Sequence, residues 1–156
     1  MAMQVLLGEE IGYSVAQKEL KRLMEPVRLI MDYTRVGIDF FEGRLEAVRL
    51  LEIIRKLRNK FESLENDGDK DDKLDILSFA EGSLNLLIKS INVLEDKEIE
   101  VIYHSLIEGV TEEELGYILF SSRHSRRTAQ RRKQATWGEL YKIINYHRFM
   151  DEAEVV

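Results

Sequence analysis

The segment SSRHSRRTAQRRKQATW, Ser121 to Trp137, concentrates guanidinium, hydroxyl and carboxamide side chains in one short stretch of an otherwise acidic chain. Guanidinium groups pair bidentately with guanine or with phosphate, carboxamides pair with adenine, and hydroxyls donate to phosphate oxygens. The chemistry such a mixture serves is recognition of a duplex. From Ser121 to Arg148 there are eight cations (Arg123, Arg126, Arg127, Arg131, Arg132, Lys133, Lys142 and Arg148) against Glu139 alone, a local balance of +7. The other 128 residues carry −13, so the net charge of −6 conceals a polarised molecule. Phosphates would draw in the basic end while the acidic remainder limits nonspecific adhesion. A run of arginines is also what a solvated helix face looks like. The flanking segments decide between the two readings.

Other chemistries find little support. The chain has no cysteine, which excludes a disulfide scaffold, a thiolate metal site and a cysteine nucleophile, and suits a reducing cytoplasm. His104, His124 and His147 have no HExxH-type spacing, and neither a phosphate-cradling glycine loop nor a G-x-S-x-G turn occurs. The acidic segment Glu65 to Lys73 resembles a calcium loop only in composition. Counted from Asp67, the sixth and twelfth positions are Asp72 and Ser78, where glycine and glutamate are required. The expectation is a binding protein rather than an enzyme, with no cofactor and no metal. No apolar run approaches the roughly 18 to 20 residues that span a bilayer, and the N-terminus lacks a signal-peptide pattern.

The elements that must position the basic segment are helical. One proline and few glycines among many Leu, Glu, Lys and Arg residues predict an all-α fold. Three stripes recur at three- and four-residue intervals: Leu20, Leu23, Met24, Val27, Ile30 and Met31; Ala47, Leu50, Ile54, Leu57, Phe61 and Leu64; and Leu77, Ala80, Leu84, Leu87, Ile91 and Leu94. They imply a helical bundle or a dimerisation surface over residues 1–94, with a polar loop at 65–73. Pro26 falls inside the first stripe and predicts a kink or a restart there. Arg49, Arg55, Lys56, Arg58 and Lys60 are interleaved with Glu46, Glu52, Glu62 and Glu65 and read as solvent-side charges.

Residues 95–156 form the second region. Asp96 is a candidate N-cap, Ile99, Ile102, Leu106 and Ile107 give one buried face, and Gly109 ends that helix. Thr111 and Glu114 have capping-box spacing ahead of Leu115, Ile118 and Leu119. After a turn from Phe120 to His124, Ser125 caps a third helix running through Trp137 to Ile144. This is the order of a helix-turn-helix domain with one extra N-terminal helix. With Ala129, Thr136, Trp137 and Leu140 inward, the opposite face holds Arg127, Gln130, Arg131 and Gln134, the expected base readers. Arg123, Ser125, Arg126, Thr128, Arg132 and Lys133 flank that face and are the expected phosphate contacts.

The stretch from Lys97 to Ile144, about a third of the chain, resembles the fourth region of sigma-70-type factors and, more closely, the phage late-gene transcription activators of the RinA and ArpU type. The resemblance rests on Glu114-Leu115, then nine residues, then Ser-Arg-Arg-Thr-Ala-Gln-Arg at 125–131, preceded by Glu98, Val101, Ile102 and Gly109. The chain departs from the sigma pattern at His124, where an aliphatic residue is usual. The resemblance implies a stoichiometric DNA-binding activator in the cytoplasm of a bacterial host, with double-stranded DNA and host RNA polymerase as partners. The segment before the recognition helix carries eight anions against Lys97, and Glu98, Glu100 and Glu108 are the expected polymerase contacts. A homodimer on two half-sites is expected. The alternatives are a small terminase-type packaging subunit and a helical adaptor that binds no DNA.

Overall fold

The apolar stripes fold against one another. In a computed structural model, residues 2–64, 68, 70–121 and 125–155 are described, with side chains described from Gly12 to Glu152. Helix α1 runs from Ala2 to Thr34, strands β1 (Asp39–Phe41) and β2 (Arg44–Glu46) form a hairpin, and α2 spans Val48–Glu62. Helix α3 covers Lys70–Ile91 and α4 covers Asp96–Ile102, continued by one π-helical turn, Tyr103–Ile107. Helix α5 is Glu112–Phe120, and α6 runs from Arg126 to Val155. The all-α expectation therefore holds apart from the hairpin. Among the described residues no helix is long and apolar enough to cross a membrane.

The stripes are spent inside the chain. Leu20, Leu23, Met24, Val27 and Ile30 of α1, Leu50 and Ile54 of α2, and the whole set from Leu77 to Leu94 are buried in one cluster. Trp137, Leu140 and Ile144 of α6 belong to that same cluster, as do Ile99, Ile102, Leu106 and Ile107. Residues on both sides of Leu94 thus share one core. The stripe at Leu77 to Leu94 is packed in this chain's own bundle, the first of the two arrangements its spacing allows. The charges of α2 brace the bundle from outside: Arg55 donates to Glu81 of α3 at 3.1 Å, and Arg58 pairs with the other oxygen of the same carboxylate.

Several local expectations change. Helix α1 continues through Pro26 without a restart. The loop expected at 65–73 is shorter, because α3 begins at Lys70 and places Asp71 and Asp72 in its first turn, where the positive end of the helix dipole favours carboxylates. Residues 65–67 and 69 of that loop lie outside the described residues. Glu95, not Asp96, is the N-cap of α4; its backbone N–H is accepted by the Glu98 carboxylate at 3.3 Å.

The hairpin is an unanticipated element. Its two-residue turn is Glu42-Gly43, with φ of 49° and 75°, the pair of positive values that matches the twist of the flanking strands. Two strands of three residues cannot stand alone in water. Leu45 is buried in the main core, and the Asn92 carboxamide pairs with both its backbone groups, accepting from its N–H at 3.1 Å and donating to its carbonyl at 3.2 Å. A side chain after α3 thereby stands in for a third strand.

Candidate nucleic-acid interface

The basic helix is held by three preceding pieces of chain. Gly109, at φ 72°, ends the π turn in a left-handed conformation that costs glycine little. Thr111 caps α5: its hydroxyl accepts from the Glu114 backbone N–H at 3.2 Å and donates to the Glu114 carboxylate at 3.0 Å. The N-cap half of the expected capping box is present and satisfies one backbone donor at the helix start, while the Glu114 carboxylate takes the Thr111 hydroxyl rather than the Thr111 backbone N–H. Helix α5 ends at Ser121, itself left-handed at φ 57°. Val101 of α4, Leu115 of α5 and Ala129 of α6 then close a satellite core, with Val110, Leu119 and Phe120 packed around it.

Gly116 brings α5 and α6 together. A Cβ there would lie 3.3 Å from the Ser125 carbonyl carbon and 3.4 Å from the Arg126 nitrogen. Both are backbone atoms with little freedom to move aside, so the absence of a side chain permits this approach. The sequence reading passed over Gly116. The available signal was a glycine inside a helical pattern, which costs stability unless close packing needs it.

Ala129, Thr136, Trp137 and Leu140 are buried and Ala129 is fully so, as the wheel requires. The opposite side carries Arg127 and Arg131, both exposed, with Gln130 and Gln134 half-buried at its shoulder. Among the described residues neither Arg127 nor Arg131 has an ion pair or a side-chain hydrogen bond. Arg126 and Thr128 are exposed, Arg126 with its Nε 4.0 Å from Glu112. Arg132, also exposed, lies 5.0 Å from the centroid of the Phe120 ring, a cation–π contact. Ser125 is half-buried and directly precedes α6. Arg123 lies outside the described residues, as do Ser122 and His124.

Lys133 departs from the assigned set. It is four residues from Ala129 and so on the same, inward side. Its ammonium sits 4.0 Å from Glu112 and 5.0 Å above the Trp137 ring. Burial pushes its pKa below the usual lysine value, the Lys21 charge pushes the same way, and Glu112 partly opposes both. Lys133 therefore faces the protein rather than the arginine surface.

Trp137 anchors α6 to the π turn. Its indole N–H donates to Ser105 Oγ at 2.8 Å, and that hydroxyl donates to the Val101 carbonyl at 2.6 Å. At the far end Arg148 donates to Glu19 of α1 at 3.1 Å. Of the three glutamates expected to face a polymerase, Glu98 is used in capping and Glu108 pairs with His104. Glu100 is half-buried and without an ion pair among the described residues. No three His, Cys, Asp or Glu side chains converge as metal donors among the described residues. Comparison with family models, with characterised proteins and with solved structures found no match.

Proposed function

We propose that this chain is a sequence-specific DNA-binding transcription regulator, a phage or prophage late-gene activator, with α5 and α6 as its helix-turn-helix and α6 in the major groove. The observation that carries the reading is the pair of exposed arginines, Arg127 and Arg131, without partners among the described residues of a chain with 29 acidic residues. Arg35, Arg44 and Arg49 are also exposed without ion pairs among the described residues; Arg127 and Arg131 differ in standing one turn apart on one helix with Arg126 and Arg132 beside them, a local concentration of cations that a phosphate backbone suits. An arginine left free and aimed outward suits a guanine edge or a phosphate. Arg126, Arg132 and Thr128 flank the pair where backbone contacts set register. The word activator and the phage context rest on the resemblance to RinA and ArpU proteins and to sigma region 4. Lys133 drops out of the DNA-contacting set. Glu100 is the best-placed polymerase contact, since the other two glutamates have local roles. The two-copy arrangement on paired half-sites is part of this proposal, and the burial of the Leu77 to Leu94 stripe in the chain's own core favours another surface for it.

The test begins with selection of bound fragments from genomic DNA by the purified chain, followed by titration of the selected site and of a random duplex. Arg131→Ala is expected to weaken the selected site by about 1 to 3 kcal/mol and to leave the random duplex far less affected. Equal losses on both would reassign Arg131 to phosphate. Failure to enrich any duplex would overturn the DNA reading. In reconstituted transcription, Glu100→Lys should abolish activation at unchanged DNA occupancy; activation that simply follows occupancy would remove the polymerase contact.

A further inference from the structure

A cleft of about 870 Å3 lies between α1, α3, the end of the π turn and α6, on the inward side of the arginine helix. Its volume is within the range of small-ligand sites. One wall is apolar, with Leu29 of α1 and Ile76 and Phe79 of α3, and Trp137 contributes to the α6 side. Leu29 and Phe79 are 54% and 47% exposed, a loss of burial that nothing in the bundle interior compensates. Lys21 and Lys133 also line the cleft.

The cleft's two arginines are committed elsewhere. Arg22 pairs with Glu19 at 2.9 Å, and Arg28 donates to the Leu106 carbonyl at 2.7 Å. Glu25 and Asp32 are exposed on α1: Glu25 lies one turn from Lys21 on the same side of the helix, bordering the head-group end, and Asp32 lies beyond Leu29. Lys21 has no ion pair among the described residues, and Lys133 has only Glu112 at 4.0 Å. Both ammonium-bearing side chains line the same cleft, and with a single carboxylate, at 4.0 Å, as the ion pair of the two among the described residues, they leave capacity for a bound anion. From Lys21 to Leu29 is about 12 Å along a helix, the length of a medium acyl chain or a fused aromatic system.

We propose that this cleft binds a small amphipathic carboxylate or comparable anion, its charged head between Lys21 and Lys133 and its apolar body along Leu29, Ile76 and Phe79. The site is separate from the arginine face, and its occupancy does not depend on the DNA-binding reading. The lysines select for the negative head, the apolar wall sets the length of the body, and Trp137 reports on occupancy.

Trp137 is the single tryptophan, so its indole N–H gives one resonance in a nitrogen-correlated NMR spectrum. Octanoate titrated into the full chain should shift that resonance saturably, whereas octan-1-ol, which keeps the body and loses the charge, should bind at least about tenfold more weakly, as expected for one lost charge-assisted contact. Lys21→Met and Lys133→Met should each weaken octanoate by a similar factor while leaving the octan-1-ol response unchanged. Lys21 is exposed, so its variant tests the head-group contact even if Lys133→Met fails to fold. The proposal is overturned if octanoate gives no saturable shift, if the alcohol binds as tightly as the acid, or if Lys21→Met binds octanoate like the unaltered chain.

Discussion

Replacing Gly116 with alanine and then valine, beside alanine at Gly82 and Gly138, separates helix propensity from close packing. All three glycines are helical, but a Cβ at Gly82 or Gly138 meets nothing within 4 Å, whereas one at Gly116 meets the Ser125 and Arg126 backbone at 3.3 and 3.4 Å. Alanine in an unobstructed helix gains about 0.5 to 1 kcal/mol over glycine. Gly82→Ala and Gly138→Ala should therefore be stabilised by about that amount. At Gly116 the same gain is offset by overpacking, which costs about 1 to 3 kcal/mol. The alanine contact calls for a shift of only a few tenths of an ångström, so the low end of that range applies and the net change is about zero. Valine adds two methyl groups toward atoms that cannot rotate away and has lower helix propensity than alanine, so a net loss of about 2 kcal/mol follows, roughly 30-fold in the unfolding equilibrium. Urea denaturation of the full chain, followed by far-ultraviolet circular dichroism, measures all four variants. In the folded Gly116→Val protein the start of α6 must move from α5, carrying Arg127 and Arg131 with it, so under the proposed function DNA affinity should fall more than stability accounts for. If Gly116→Ala is stabilised as much as Gly138→Ala, and the valine variant unfolds with the unaltered chain, the approach of α5 to α6 is not sterically limited and the reasoning fails.

Three further outcomes follow from named contacts. Ser105→Ala should cost about 1 to 3 kcal/mol because it strands the Trp137 N–H in the core, and in the Trp137→Phe background, where no N–H remains, the same change should cost much less; equal costs in a double-mutant cycle would deny the bond any energetic role. Asn92→Ala should destabilise by about 1 kcal/mol and speed amide exchange at Leu45, whose N–H loses its acceptor; unchanged exchange there would show that the hairpin is held by packing alone. Burial raises the Glu19 pKa, but hydrogen bonds and charges from Arg22 and Arg148 outweigh it and hold the carboxyl below its usual 4.5. A depressed folded-state pKa gives stability present above that value and lost as pH falls through the folded pKa, so Glu19→Gln should flatten the acid limb of a stability–pH profile below about pH 4.5. An acid limb identical to that of the unaltered chain would assign the loss to other carboxylates.

Much of this molecule follows from local rules that a sequence exposes directly. The three- and four-residue spacing of Leu20 to Met31 and of Leu77 to Leu94 specifies apolar helix faces, because side chains one turn apart share a side whatever they later pack against. The Thr111–Glu114 cap, the left-handed Gly109 and the inward turn of Ala129 and Trp137 depend on residues within a turn or two, and they stand in the structure as the sequence reading places them. Lys133 could also have been placed by the same wheel, since it follows Ala129 by four; its charge drew it into the phosphate set instead.

What only the tertiary structure decided is which faces meet. An apolar stripe does not say whether its partner is another helix of the same chain or a second copy, and the buried cluster joining α1, α3 and α6 settles that for the stripe at Leu77 to Leu94. The hairpin exists because Asn92, 47 residues from Leu45, satisfies a strand backbone too short to persist alone. The π turn sets Ser105 under the Trp137 indole, 32 residues away, and the cleft appears where α1, α3 and α6 diverge around Lys133. Each of these depends on atoms distant in the chain, and helical periodicity carries no information about such pairs. Exposure of Arg127 and Arg131 is legible from spacing, but their lack of partners required the position of every neighbouring carboxylate.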